Sequence, residues 1–253
     1  MLYLRGARAR RSWPLWRTIL FLGGLAAILA ALASPIDALA LDLFSIHMVQ
    51  HMLLIVVAAP LLLLGAPVRP LLRGLPGAFR RAVIRPIAGD RAVRAVLHAV
   101  RQPLVAAALY VVGLYVWHIP AVYGGAIDHP ALHAAEHLWF LGTALIFWSV
   151  VIDPEPFRAT LPYAARIVFL LLVGAAQNTI LGGLLAFSTR LFYLHYATTT
   201  AAYGIDAVGD QRLGGAIMWV PGDLIFLAGA SLSFFLWLQS EEQAQRVRES
   251  RPR

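Results

Sequence analysis

Apolar residues run along this chain in six blocks, each close to twenty residues long. Shorter stretches rich in arginine, proline, glycine and histidine separate them. The blocks cover 15–34, 44–65, 103–120, 131–152, 164–187 and 214–238. A helix needs about 20 apolar residues to cross the hydrocarbon of a bilayer. The pattern therefore predicts an all-α polytopic membrane helix bundle of about six transmembrane helices. Punctuation supports the boundaries. The first block ends at Ser34-Pro35 and the second at Gly65-Ala66-Pro67, where proline cannot continue a helix. The third stops near His118-Ile119-Pro120. The fourth begins near His129-Pro130, proline being tolerated in a first turn. Gln177 and Asn178, inside the fifth block, are expected to face protein rather than lipid. Pro221-Gly222 predicts a kink or local opening in the sixth.

Composition agrees with the pattern. The chain is 60% hydrophobic and 13% charged, where a soluble domain carries about 25% charged residues. Its net charge is +8, and every basic residue is arginine. The arginines are partitioned. Five lie in the head and first turn of the first block (Arg5, Arg8, Arg10, Arg11, Arg17), eight between the second and third, two at the junction of the fourth and fifth (Arg158, Arg166), and four in the tail; only Arg190 and Arg212 fall on the other side. That asymmetry is the positive-inside signature. It accounts for the basic charge without a nucleic-acid partner and predicts cytoplasmic N- and C-termini, which six spans satisfy. Residues 1–253 thus read as a single transmembrane domain. It has a basic cytoplasmic head at 1–14, an Arg-rich cytoplasmic connection at 68–102 and a cytoplasmic tail at 240–253. The connection is expected to be a solvated positive-inside loop; an amphipathic stretch lying on anionic lipid is the alternative. The head followed by an apolar run and Ala38-Leu39-Ala40 also resembles a cleavable signal peptide. The arginine, alanine and glycine bias fits a bacterial genome.

Histidine changes the picture most. Seven of the eight fall toward the predicted outer side, and only His98 is cytoplasmic. His47/His51 and His133/His137 are both i, i+4 pairs, so each pair presents two imidazoles on one helix face. Two such pairs on separate helices can supply four nitrogens to a metal ion or form two neighbouring sites. His118 and His195 are on the same side. There is no cysteine, which excludes thiolate ligands and disulfides. Met48, Met52 and Met218 offer thioethers instead, and imidazole with thioether suits copper. Glu136, Asp210 and Asp223 are candidates to complete or orient the site, although methionines are commonly packing residues. An acid as deep in a span as Asp223 is a functional candidate by default. Two rival readings stay open. His133-Ala-Ala-Glu136-His137 matches the H-x-x-E-H pattern of inverted zinc proteases, with Glu136 as general base. Histidines on facing helices can also clamp a haem.

Several stretches, in order, resemble one family. They are Ser34-Pro35 with Asp37, HMVQHMLL with AAPLLLLGAP, WHIPAVY at 117–123, and HAAEH followed by LWFLGTALIFW. LGGLLAFS at 181–188, YLHYA at 193–197 and DQRLGGAIMWVPG at 210–222 complete the set. Together they resemble the multi-helix cytochrome c oxidase assembly proteins of the CtaG type, associated with caa3 oxidases. The resemblance implies a bacterial inner-membrane protein that is not an enzyme, helps build a copper-containing oxidase and handles copper for it. Its implied partners are a cytochrome c oxidase subunit, a periplasmic copper donor and membrane lipid; a metal-independent scaffold is the alternative role. It carries over His47 and His51, His133, Glu136 and His137, His118, His195, and Asp210 with Gln211. Members usually have one more helix before the Arg-rich head, and MLYLRGA looks like its last turn.

Overall fold

A computed structural model describes residues 1–9 and 13–250, and among these it is helical with no strand. Arg10, Arg11, Arg251 and Arg253 lie outside the described residues. Helix α1 (Leu2–Arg8) is followed by α2 (Leu15–Leu32), the short α3 (Pro35–Ala40), and α4 (Phe44–Leu64). Further helices are α5 (Val68–Gly74), α6 (77–89), α7 (Arg91–Val100), α8 (Pro103–Trp117), α9 (Pro120–Asp128) and α10 (Pro130–Val151). Then come α11 (Tyr163–Ala186), the one-turn α12 (Tyr196–Thr199) and α13 (Ala207–Glu249). Helices α2, α4, α10, α11 and α13 are each long and apolar enough to cross a membrane.

The structure refines three expectations. The third apolar block is no isolated span: α8 has only 15 residues, and α7 joins it across a 67° bend. Six crossings result only if that bent pair counts as one. Segment 68–102, expected as an Arg-rich connection, folds as a run of helices. In α7, Val96 and Leu97 are exposed and Asp90 caps the start by accepting from Val93 N–H at 3.0 Å. Pro221 does not open the sixth block either; it sits inside one continuous helix of 43 residues.

Helix α4 is central. It packs on α2, α10 and α13. Its middle, Leu53–Ala58, is wound as a π-helix, and Pro60 accounts for it. Ala59 N–H bonds back five residues to Leu54. In that register the Ile55 carbonyl faces residue 60, whose proline nitrogen has no hydrogen to give. The indole of Trp148 on α10 donates to Ile55 O at 2.9 Å instead. One bond thus satisfies the orphan carbonyl and ties α10 to α4.

Small residues set the close crossings elsewhere. A Cβ on Gly182 of α11 would lie 2.7 Å from the Gly215 carbonyl of α13, and one on Gly24 of α2 would lie 2.9 Å from the Leu62 side chain of α4. Gln177 receives a hydrogen bond from Tyr115 at 3.0 Å, and Asn178 is buried; both face protein, as expected. The Arg-rich end has its own ties. Glu155 bridges Arg17 of α2 and Arg69 of α5 at 2.9 and 2.8 Å, and Arg166 pairs with Asp153 at 3.0 Å. At α1, Tyr3 donates to Gly65 O at 2.9 Å and stacks on Phe21, so part of the basic head is packed structure.

Candidate metal centre

The starts of α4, α10 and α13 and the end of α8 meet at one end of the bundle, opposite the Arg-rich end. Within α4, His47 and His51 point the same way, one turn apart, as their spacing requires. Their Nε2 atoms are 2.9 Å apart, and both rings are buried. From α10, Glu136 projects between them. Its carboxylate oxygens lie 3.8 Å from His47 Nε2 and 3.6 Å from His51 Nε2, and it is wholly buried. His133 and His137 flank it, with ring centroids 4.2 Å apart. The His47 centroid is 5.1 Å from that of His133 and 6.2 Å from that of His137. His118, capping α8, brings its ring to 6.3 Å from His51.

Two donor sets therefore exist. In one, ligand atoms of His47, His51 and Glu136 all lie within 4.8 Å of each other; in the other, those of His47, His133 and His137 do. Nitrogens about 2.0–2.1 Å from a shared ion sit about 2.9–3.4 Å apart at angles between about 90° and 109°, and the His47–His51 separation falls in that range. Hydrogen-bond accounting points the same way. His51 Nδ1, Nε2 of His118, His133 and His137, and both Glu136 oxygens are buried without a hydrogen-bond partner among the described residues. Buried polar atoms are nearly always paired, so this concentration at one spot fits a cation. The residues present suit an imidazole- and carboxylate-bound transition metal.

A shell of hydroxyls and amides orients these rings. Tyr196 of α12 donates to Ala40 O at 3.0 Å, so its oxygen is left to accept from Tyr123 at 2.7 Å and from His47 Nδ1 at 3.3 Å. Burial raises the phenols of Tyr123, Tyr193 and Tyr196 above the ordinary tyrosine range, which keeps them neutral hydroxyls. Gln50, on α4 between the two histidines, donates to Ala31 O at 2.8 Å and to Asp37 at 2.7 Å. These bonds pin α4 to α2 and α3.

The other sequence candidates are placed differently. Asp210 lies in the first turn of α13 but serves α4. Its carboxylate accepts from Phe44 N–H at 2.6 Å, from Ser45 N–H at 3.3 Å and from the Ser45 hydroxyl. It caps a helix whose own N-cap residue, Leu43, makes no side-chain cap. Its neighbour Gln211 holds the loop before α12, accepting from Phe192 N–H at 2.7 Å and donating to Arg190 O at 2.9 Å. His195 hydrogen-bonds the Leu41 carbonyl at 2.8 Å, and the ring this segment delivers to the cluster is that of Tyr196. Met48 packs at Gly214 and Met52 at Gly222, both in the α4–α13 interface, and Met218 is buried in the same core. Asp223 accepts from Thr179 of α11, some 19 Å along α13 from Asp210 at 1.5 Å per residue. Reading histidines alone overlooked Tyr123, Tyr196 and Gln50. All three lie inside the stretches WHIPAVY, YLHYA and HMVQHMLL.

Comparison with known proteins places this geometry in context. The chain is 30% identical over 219 residues to uncharacterised proteins of Mycobacterium bovis and Mycobacterium tuberculosis, covering 84% of this chain and 32% of theirs. It is 26% identical over 256 residues to an uncharacterised protein of Mycobacterium leprae, covering 98% of this chain and 38% of that one. The chain thus spans about a third of the length of these relatives. No solved structure matches it. The family model of the cytochrome c oxidase caa3 assembly factor matches residues 1–240. This chain, with its histidine-lined bundle end, belongs to the cytochrome c oxidase caa3 assembly factor family.

Proposed function

We propose that this protein binds a copper ion at the histidine end of the bundle and passes it to a cytochrome c oxidase subunit during assembly. The observation that carries the reading is the convergence of His47, His51, His133, Glu136 and His137 from two helices, with Nε2 of His133 and His137 and both Glu136 oxygens buried and without a hydrogen-bond partner among the described residues. The donor set alone suits zinc as well as copper; the family's tie to a copper-containing oxidase favours copper. The histidine end faces the periplasm of a bacterial inner membrane, because the arginines gather at the other end. A periplasmic donor would then load the site. The chemistry is ligand exchange: copper is cargo, and no covalent bond of a substrate is made or broken. With no thiolate in the chain, retention rests on nitrogen and oxygen donors, which keeps release feasible.

The test is metal content after purification and copper loading. Wild-type protein should retain copper, and the His47→Ala/His51→Ala double variant should lose it. Equal copper in both, or zinc alone in the wild type, overturns the proposal. A haem clamped between imidazoles needs a gap for the macrocycle, whereas His47 and His51 bring their nitrogens to 2.9 Å; a Soret band in the purified protein would reverse that judgement. The hydrolase reading makes Glu136 a base, yet its carboxylate is enclosed between the two α4 imidazoles. Retained metal with lost turnover in Glu136→Gln would revive it.

A further inference from the structure

His47 belongs to both donor sets. The sets differ in depth and exposure. Helices α4 and α10 both run inward from the histidine end, so His47 and His133 form an outer rung. His51 and His137 stand one turn, about 6 Å, deeper. His133 is half-buried, whereas His51 and Glu136 are closed off from solvent. An ion arriving from outside therefore meets His133 before it meets His51 or Glu136.

The hydrogen bonds of His47 decide how many ions it serves. Tyr196 has one proton, and it goes to the Ala40 carbonyl. Its oxygen must then accept from His47, which places the proton on Nδ1 and leaves Nε2 as the ligating nitrogen. With a single nitrogen on offer, His47 holds one ion at a time.

We infer that the centre is a two-position site for one ion: His47 is a pivot that exchanges copper between an outer set, entered through the half-buried His133 with His137 behind it, and an inner set of the buried His51 and Glu136. This rests on the copper reading above and adds to it an order of events. The outer set captures the ion, and the inner set retains it out of solvent. Moving inward breaks the bonds to the His133 and His137 nitrogens and makes bonds to the His51 nitrogen and a Glu136 carboxylate oxygen, with no change in the ion's charge. His47 stays bound throughout, so the ion is never released from both sets at once.

The experiment uses the full-length protein in detergent micelles, loaded anaerobically from a coloured Cu(I) chelator. It reads stoichiometry at equilibrium and the rate of transfer after mixing. Wild type should take one ion. His133→Ala and His133→Gln should still take one ion but load about tenfold more slowly, the effect of about 1.4 kcal/mol on a barrier. Glu136→Gln should load at the wild-type rate and give the ion back to excess chelator about tenfold faster. Two ions per wild-type chain would overturn the pivot, as would unchanged loading in both His133 variants. Wild-type protein that takes no copper at all would instead sink the copper reading itself, so the two failures are distinct.

Discussion

One hydroxyl, that of Tyr196, touches three groups: the Ala40 carbonyl, the Tyr123 hydroxyl and the His47 ring. Partners behind a metal-binding histidine fix its tautomer and typically change affinity 10–100-fold. Tyr196→Phe removes the acceptor for His47 Nδ1–H and leaves a ring of the same shape. Copper affinity, measured by chelator competition, is expected to fall by about 10–100-fold, and the apoprotein should also melt at a lower temperature, because the buried Ala40 carbonyl and Tyr123 hydroxyl lose their partner. His195→Ala removes a hydrogen bond to Leu41 O and an edge-on ring contact with Tyr196 but no bond to a cluster histidine, and should leave copper affinity within about twofold of wild type, less than the 10–100-fold range of a true orienting partner. The two histidine pairs were legible from spacing alone, because four residues is close to one helical turn. The role of Tyr196 was not. A tyrosine in a loop carries no periodic signal, and its partners are 149 and 156 positions away.

At the scale of elements, the first turn of α13 governs the start of α4. Asp210 receives two backbone N–H groups and a hydroxyl that α4 cannot satisfy itself. Asp210→Ala leaves those donors buried and unpaired. It should destabilise the protein by about 2 kcal/mol or more and lower the melting temperature by roughly 4 °C or more. Asp210→Asn retains an accepting oxygen and should recover most of the loss. The same melt can test the α11–α13 crossing. Gly182→Val drives a side chain against the Gly215 carbonyl and should cost about 1–3 kcal/mol. Gly183→Ala, where a Cβ meets nothing within 4 Å, should be close to neutral. Spacing put Asp210 at the histidine end of the bundle but could not distinguish a ligand from a cap, since both use a carboxylate near a helix end.

For the whole molecule, sidedness is the testable property. The chain has no cysteine, so a single introduced thiol reports its own exposure. Thr198 and Gln243 are both exposed and lie at opposite ends of the bundle. In intact cells, Thr198→Cys should react with a membrane-impermeant maleimide, and Gln243→Cys should react only after lysis. The reverse pattern would put the metal centre on the cytoplasmic side. The Arg-rich end is tied by ion pairs from α2, α5 and the segment before α11. These pairs are partly exposed, and each is worth no more than about 1 kcal/mol.

The sequence by itself determined that this is a helical membrane protein, where its apolar blocks lie, how charge divides its two ends and which histidines share a helix face. These follow from local quantities: block length against bilayer thickness, and the helical repeat. The tertiary structure alone decided that the two histidine faces meet and that Glu136 stands between them. It also turned the methionines toward α13 and made Asp210 and Tyr196 supports of the rings. Such outcomes depend on how helices far apart in sequence rotate and cross, which is set by close packing at glycines and by where buried hydrogen bonds find partners.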